Sequence, residues 1–427
     1  MSIFQIAVTA LFIAFVIMGV GAFAILGGVF GQSQVGPVSI WGTMDREVFD
    51  AMLTELRTAD DDLKEVAYTK KNPQTYAAEL VNAMASGQSP DLFLITQEEI
   101  YGFSDKILII PYGDVSQAEY LASFVDEGNL FLGAQGTFAL PFAIDPLVMY
   151  WNRDLLAAAG VAEPPQYWNE LIALAPRISS FDATQNIKRS AVSLGGWNNI
   201  RNAKAILSSL IMQTGDTIVT RGQDGKLQAV LGQTLEREGA AASALRFYSE
   251  FGNPSKQNYS WNKSLQSSER AFAAGQVAIY FGFAGEYKQI TERNPNLRFY
   301  AARLPQIEGG TPMTYGSLTG IAISRGAQNP AGALAVAKSL TGPDAAAALA
   351  VKGLVPARRD VEIDTSGNAA AAAFAQSALI ARGWVDPDPK ATDSIFKRMV
   401  ESTLSGGSTP TQAIFDAAQE LNRLFGK

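Results

Sequence analysis

Short apolar runs alternate with segments of helical spacing through the first third of the chain after residue 37. Predicted strands cover residues 38–41, 66–69 and 91–95, and predicted helices cover residues 46–56 and 76–86. Asp45 stands where an N-cap of the first helix is expected. This alternation predicts a mostly parallel sheet with helices on both faces, whose ligands lie beyond the carboxyl ends of the strands. Residues 42–45 and 96–99 are therefore expected at the edge of a site.

The same alternation continues in the middle of the chain. An apolar run at 147–151 predicts a buried strand, and Asn152 is placed to cap a helix over 153–159 that Gly160 ends. A second helical pattern follows Pro164 and Pro165, carries Trp168, Leu171 and Leu174, and is expected to stop near Pro176. Near the end, an alanine-rich helix is predicted at 368–382 and a last helix from Pro410.

The amino-terminal segment has a different pattern. Residues 3–30 carry only Gln5 and Thr9 as clearly polar side chains, and no charged side chain occurs before Asp45. About 20 apolar residues span a bilayer, whereas the apolar part of a signal peptide has about 7 to 15, so a retained transmembrane helix is favoured. The alternative is cleavage near Ala22–Ala24. Both interpretations export the body of the protein.

Composition narrows the possible functions. A chain of 427 residues is long enough for two domains, because single cores stop growing near roughly 250 to 300 residues. The net charge of −7 argues against nucleic acid as a partner. The absence of Cys and His removes disulfides, thiol chemistry, Ser-His-Asp chemistry and most zinc sites. An enzyme would have to use carboxylates, Lys or Tyr, and a metal site would be oxygen-only.

Four segments in order resemble one family. They are the crossing and helix pair at 140–171, the Pro-Asp-Leu-Phe turn and strand at 90–93, the glycine-rich loop at 271–287, and the late helix with a Pro-Ala-Arg turn at 340–360. This order resembles the extracellular solute-binding proteins of ABC importers, specifically the sugar-binding group. The resemblance covers nearly all of residues 37–425.

The resemblance implies a two-lobed α/β periplasmic-binding-protein-like fold of type II, with a hinge and an N-terminal transmembrane helix. The implied divisions are an anchor or signal segment at 1–31, lobe one at 32–140 and 303–348, and lobe two at 141–302 and 349–427. It also implies a protein that closes over a carbohydrate and delivers it to an ABC permease. Catalytic residues, a cofactor and a metal are not expected.

A sugar cleft needs aromatic rings for the apolar faces of the sugar and polar side chains for its hydroxyls. The candidate ligand-binding residues are Trp41, Asp45, Gln97, Asp145, Trp197, Asn198, Trp261, Phe283, Glu286, Tyr315 and Arg358. Trp197 is the preferred stacking residue because it stands in a glycine turn beside two amides. The family frequently has a Trp where this chain has Gly285, so Phe283 is expected to take over stacking there.

Each candidate also has a structural interpretation. Trp41 fits a core position, Gln97 a solvated helix start, Trp261 a loop anchor and Arg358 a surface ion pair. Peptides, polyols or an anion remain alternative solutes. An exported glycosidase would need a carboxylate pair about 5 to 9.5 Å apart, for which Asp145 and Glu286 are the pair to test. A membrane-tethered sensor or scaffold is the third class.

Overall fold

A computed structural model describes residues 35–222, 226–233 and 239–426. The predicted transmembrane or signal segment at 1–31 lies outside these residues. Within the described ranges, none of the helices combines the length and the apolar character that crossing a membrane requires.

The strands are short except for two. Their bounds are β1 Val38–Gly42, β2 Val66–Lys70, β3 Leu92–Thr96, β4 Ile107–Leu108, β5 Ile110–Pro111, β6 Gly136–Thr137, β7 Leu140–Asn152, β8 Ser180–Phe181, β9 Ile187–Val192, β10 Val219–Arg221, β11 Leu227–Ala229, β12 Val277–Phe283, β13 Phe299–Arg303, β14 Thr314–Ser324 and β15 Ala381–Arg382. The long strands β7 and β14 have 13 and 11 residues.

The helices surround these strands. Their bounds are α1 Arg46–Leu56, α2 Tyr76–Ala85, α3 Ile100–Phe103, α4 Gln117–Ser123, α5 Arg153–Ala158, α6 Glu170–Ile178, α7 Ala203–Gln213, α8 Ala240–Glu250, α9 Ser268–Ala273, α10 Glu286–Arg293, α11 Pro330–Leu340, α12 Pro343–Val351, α13 Ala369–Leu379, α14 Pro389–Ser405 and α15 Pro410–Phe425. Two short 3₁₀ helices occupy Asp61–Leu63 and Asp126–Phe131.

Local sequence signals set several helix starts. The Asp45 side chain accepts a hydrogen bond from the backbone N–H of Glu47 at 3.0 Å, and the Asn152 side chain caps α5 in the same manner. Both predicted caps are confirmed. The expectation that the second helix stops near Pro176 is confirmed, because α6 includes this proline and ends shortly after it at Ile178. Proline near the end of a helix removes only one late hydrogen bond, and apolar contacts of Ile178 with the core favour the last turn.

One continuous sheet connects the two lobes. In lobe one, β1 pairs in parallel with β2 and β3, and β3 pairs antiparallel with β14. In lobe two, β12 pairs in parallel with β9 and antiparallel with β7. Since β7 and β14 pair with each other, they connect the two halves of the sheet.

The strand β7 changes partner in its middle. Residues 140–146 pair with β14, whereas residues 147–152 pair with β12 and β13. The change falls between Pro146 and Leu147. We refer to the long pair β7 and β14, which connects the two halves of the sheet around this position, as the hinge region.

Each lobe has its own apolar core. Lobe two is built around one large cluster that includes Trp168, Phe251 and Tyr280, and lobe one has clusters on both faces of its sheet. Two residues pack in the core of a different lobe from the one predicted for their segments. Leu304, in the segment assigned to lobe one, lies in the lobe-two cluster, and Leu349, assigned to lobe two, lies in a lobe-one cluster.

Candidate functional site

A polar cavity of about 480 Å³ lies between the lobes, beside the hinge. Its walls come from the loop and helix start at 197–205 and from Pro389 and Asp393 of lobe two, from Glu98 of lobe one, and from Phe283, Tyr315 and Ser317 near the hinge. Residues distant in sequence thus converge on one concave space, which is the usual form of a small-molecule site.

A second recess of about 360 Å³ adjoins this cavity on the side of lobe one. Glu98 and Pro389 line both spaces. The recess also contains Thr96, the last residue of β3, and Thr43 and Glu99, which follow the carboxyl ends of β1 and β3. The predicted site edge at residues 42–45 and 96–99 therefore contributes to the interlobe space. We refer to the cavity and the recess together as the cleft.

Four predicted residues meet in the larger cavity. These are Trp197, Asn198, Phe283 and Tyr315. Trp197 is only 7% exposed, and its indole N–H donates to Asp393 Oδ2 at 3.4 Å. The ring is therefore held in place from α14 and offers a limited part of its surface to a ligand.

The ring pair beside the hinge is also fixed. Phe283 is partly exposed and lies edge to face with Tyr315, with ring centroids 6.5 Å apart. The Tyr315 hydroxyl donates to Glu98 Oε1 at 2.9 Å, so the hinge strand is bonded to lobe one at this point. Burial, together with the charge of Glu98, raises the pKa of Tyr315 well above its usual value, and the phenol stays neutral.

Glu286 supports the lobe-two wall from behind. Its carboxyl is buried and accepts hydrogen bonds from the Tyr280 hydroxyl, from Asn202 Nδ2 at 2.8 Å and from the Phe283 backbone N–H at 3.0 Å. Arg201 Nε lies 3.7 Å from the same carboxyl. Glu286 therefore positions Asn202, Arg201 and Phe283, which line the cavity, and is not itself among the lining residues.

Lys204 occupies a charged junction at the start of α7. Its ammonium is paired with Asp386, which is 1% exposed, and lies 3.8 Å from Glu98 Oε1. It also lies 5.3 Å from the ring centre of Trp384. Burial raises the pKa of Asp386, while Lys204 and the Thr392 hydroxyl favour its charged form. The Lys204–Glu98 contact joins the two lobes across the cavity.

Asp145 lies on β7 opposite Ser317, where the strand pair crosses between lobes. Its Oδ1 accepts a hydrogen bond from the Gly285 backbone N–H at 2.9 Å. Burial raises the pKa of Asp145 to about 7, and the nearby Glu286 charge acts in the same direction. A Cβ atom at position 285 would lie 2.9 Å from Asp145 Oδ2, so the glycine leaves room for this carboxyl.

Three candidates in lobe one have contacts of their own outside the cavity lining. The Trp41 ring is covered by Lys71, whose ammonium lies 3.5 Å from the ring centre. Asp45 caps α1 and is paired with Lys70 at 2.9 Å, and this hydrogen bond lowers its pKa. Gln97 is fully buried, and its amide bonds the backbone of β14 on both sides, at Gly316 O and Leu318 N.

Two further candidates lie within packed structure. Trp261 is fully buried in the lobe-two core, and its indole N–H donates to Asn199 Oδ1 at 3.0 Å. Arg358 pairs with Asp360 and donates to the Thr341 carbonyl at 2.9 Å. In both cases the structural interpretation describes the observed contacts, because the polar atoms of these side chains are used within the fold.

Three charged lining residues were missed by the sequence argument, namely Arg201, Lys204 and Asp393, and a fourth, Glu98, lies in the predicted site edge at 96–99 but was not chosen there. Glu98 is adjacent to the chosen Gln97, and both belong to the turn after β3, where no strand alternation separates a buried side chain from a lining one. Arg201 and Lys204 follow the Gly-Gly-Trp-Asn turn closely, and their proximity to that turn was the available signal. No local signal pointed to Asp393, because it belongs to α14, which is distant in sequence from the other lining residues.

Another interlobe cavity, of about 470 Å³, lies between α3 and the C-terminal helix α15. Its walls include Tyr101, Leu130, Phe138 and Phe425, and the rings of Tyr101 and Phe425 touch edge to face with centroids 5.5 Å apart. Its wall includes the hydroxyls of Tyr101 and Ser104 and the amides of Gln228 and Asn422, but none of its lining residues is a carboxylate, whereas Glu98 and Asp393 line the cleft beside the hinge. We therefore place the candidate solute site in the cleft.

Comparison with known proteins defines the class. The pattern of the family of bacterial extracellular solute-binding proteins matches residues 52–376. Because this range covers more than half of the chain, the protein belongs to that family. A protein of Brucella abortus (strain 2308), provisionally named as a binding protein, is 22% identical over 362 residues, which are 82% of each chain. Membership of this family indicates a protein located outside the cytoplasm.

Solved structures with the same fold include sugar complexes. The cyclic α-maltosyl-1,6-maltose binding protein from Arthrobacter globiformis has a TM-score of 0.73 and 18% identity, over 91% of this chain and 99% of its own. An ABC transporter solute-binding protein from Thermotoga lettingae, bound to α-D-tagatose, has a TM-score of 0.68 and 18% identity, over 92% and 100%. At these identities the likeness establishes the two-lobed α/β fold.

Proposed function

We propose that the protein is a membrane-anchored extracytoplasmic receptor that captures a carbohydrate in the cleft by hinge closure and delivers it to an ABC permease. The observation that carries this proposal is the cleft itself, lined by side chains from both lobes and from the hinge strand. A solute that contacts Glu98 and Asn198 together stabilises one arrangement of the lobes, and that arrangement can be recognised by a permease. The anchor would be the apolar segment 3–30.

The charges in the larger cavity favour a neutral solute. Glu98 and Asp393 balance Arg201 and Lys204 among its lining residues. The two cations already have carboxylate neighbours, Lys204 at Asp386 and Arg201 at Glu286. An anionic solute would have to compete with these protein carboxylates, whereas a sugar hydroxyl can accept from or donate to paired charges without separating them. A carbohydrate is therefore preferred over an anion.

The glycosidase alternative receives little support. Neither Asp145 nor Glu286 lines the described cavity, and Glu286 is occupied by three hydrogen-bond donors. A general acid and a nucleophile must reach the scissile bond from opposite sides of a sugar. Family membership also fits a binding protein, and binding without cleavage is the function that we propose.

A thermal-shift screen of the purified full-length chain tests the proposal. Mono- and oligosaccharides, polyols, peptides and anions are added separately, and every hit is analysed for cleavage products. Ligand at about 100 times its Kd adds roughly 2.7 kcal/mol of stability. We expect a shift with an intact neutral sugar. Products would replace the proposal with an enzyme, and shifts restricted to anions or peptides would contradict the carbohydrate assignment.

A matched pair of aromatic variants locates binding. Phe283→Ala removes a ring from the cavity, and we expect a loss of about tenfold or more in affinity for the sugar found by the screen. Tyr300→Ala removes an exposed ring outside the cavity and should leave affinity unchanged. Calorimetric titration compares the two. Equal losses, or no loss in either variant, would place the solute outside the cleft.

A further inference from the structure

Glu127 is a buried carboxyl at the base of the hinge. It belongs to the 3₁₀ helix Asp126–Phe131 of lobe one and is 1% exposed. Neither of its carboxyl oxygens has a hydrogen-bond partner among the described residues. Buried carboxyl groups normally have partners, because an unpaired one costs free energy, so this residue needs a separate explanation.

Two glycines make the space that holds this carboxyl. A Cβ atom at Gly316 would lie 2.0 Å from Glu127 Oε2, and one at Gly383 would lie 2.5 Å from Oε1. Neither glycine has a positive φ, so the space and not the backbone conformation requires glycine. Gly316 belongs to β14, and Gly383 follows β15 on the chain segment that runs toward α14. Glu127 thus touches two separate connections between the lobes.

The charged groups around Glu127 leave it without an ion pair. Arg382 is the nearest cation, but it donates to Asp126 and to the Ala381 carbonyl. Arg359 also donates to Asp126. On the other side, Glu98 is a like charge and Tyr315 is a neutral phenol. Burial raises the pKa of Glu127 to about 8, Arg382 opposes this rise and Glu98 adds to it.

We propose that Glu127 is a proton-sensitive element of the hinge, whose neutral carboxyl packs against both connections and whose ionisation favours another arrangement of the lobes. A charged carboxylate cannot stay between Gly316 and Gly383 without donors or water. It gains them if the 3₁₀ helix separates from β14. This inference goes beyond solute binding and holds whichever solute the cleft accepts.

The sign of the pH effect follows from the raised pKa. A carboxyl whose pKa is higher in one arrangement stabilises that arrangement at low pH, and the stabilisation is lost as pH rises through the raised value. The described arrangement is therefore favoured at neutral and mildly acidic pH. Alkaline pH shifts the population away from it.

Because the sequence contains no cysteine, introduced cysteines can be labelled specifically to test whether the lobes change their arrangement with pH. Val81→Cys on α2 and Lys288→Cys on α10 place one exposed thiol on each lobe of the full-length chain, and both are labelled with a fluorescent donor and acceptor. Energy transfer is measured from pH 6 to pH 9.5 without solute. We expect the distance distribution to shift as pH rises and to level off above about pH 8, the raised pKa of Glu127. Adding Glu127→Gln, which keeps the neutral shape, should remove this transition.

Controls separate the hinge effect from a general response to pH. Glu119→Gln changes an exposed carboxyl on α4 in the same lobe and should keep the transition. Glu127→Leu is a second uncharged variant and should also lack it, and the circular dichroism spectrum of each variant verifies folding. A flat profile in the parent protein, or the same transition in the parent and in either folded Glu127 variant, overturns the proposal.

Discussion

The two walls of the cleft are built differently. On lobe two, the lining side chains are fixed by buried groups behind them, such as Glu286 behind Asn202 and Asp386 beside Lys204. On lobe one, Glu98 is one-third exposed and is held mainly by the Tyr315 hydroxyl of the hinge strand. A preorganised wall loses less freedom on binding, so in the function that we propose lobe two supplies the geometry of recognition. Lobe one supplies contacts that depend on how the lobes are arranged.

The largest expected effect comes from removing the ammonium of Lys204, which pairs with Asp386 in lobe two. Lys204→Met should reduce the free energy of unfolding by about 3 to 5 kcal/mol at pH 7, because Asp386 is left as an uncompensated buried charge. Urea denaturation measures this loss. The pKa of Asp386 is already raised by burial and rises further without Lys204. The loss should therefore shrink as pH falls and Asp386 takes up a proton.

A pH-independent loss would show that the charge on Asp386 is not the cause. Lys390→Met provides the control, since Lys390 is exposed on the first turn of α14 near the same segment. Its free energy of unfolding should stay within about 0.5 kcal/mol of the parent value.

An intermediate effect is expected for Glu286→Gln. The amide keeps the shape but presents an NH₂ group where a carboxyl oxygen accepted a hydrogen bond, and one buried donor is left unpaired. We expect a loss of about 1 to 3 kcal/mol in the free energy of unfolding, measured by denaturant titration. Glu292→Gln lies on the exposed side of the same helix, and its effect should be within about 0.5 kcal/mol. Equal losses of stability in the two variants would show that buried Glu286 supports the fold no more than exposed Glu292 does.

The smallest effect on stability is expected on lobe one. Glu98→Gln should change the free energy of unfolding by less than about 1 kcal/mol, because the Lys204 contact is long at 3.8 Å and Glu98 is partly solvated. Its effect should instead appear in the arrangement of the lobes, measured by small-angle scattering without solute. A stability loss as large as that of Lys204→Met would mean that both walls are equally preorganised.

Much of the fold was predictable from local signals. Alternating patterns found β1, α1, β2 and β3, and the caps Asp45 and Asn152 are confirmed by their hydrogen bonds. The order of motifs found the family, because several weak motifs in one sequence constrain the topology together. The end of α6 near Pro176 was also found, whereas its extension to Ile178 depends on packing, which a local rule does not contain.

The candidate site was less predictable. Trp197 and Phe283 were found because aromatic residues beside glycine turns suggest a binding loop, and both line the cavity. Trp261 was chosen because it stands in the polar run at 258–262, but it is fully buried. Which side of a loop faces a cleft depends on long-range packing, and a single sequence does not encode that locally. Glu98 and Gln97 show the limit, since one position separates a cleft side chain from a core one.

The position of β14 in the chain has a consequence for the biosynthesis and folding of the protein. This strand lies between β3 and β7 in the middle of the sheet, yet it is residues 314–324 of a 427-residue chain. Lobe one therefore cannot complete its sheet until most of the chain has been synthesised. A ribosome-bound nascent chain shorter than this would lack the central pairing, so it would remain loosely structured. Such a delay keeps the polypeptide unfolded and competent for translocation. Cooperative folding begins only after β14 is available to pair.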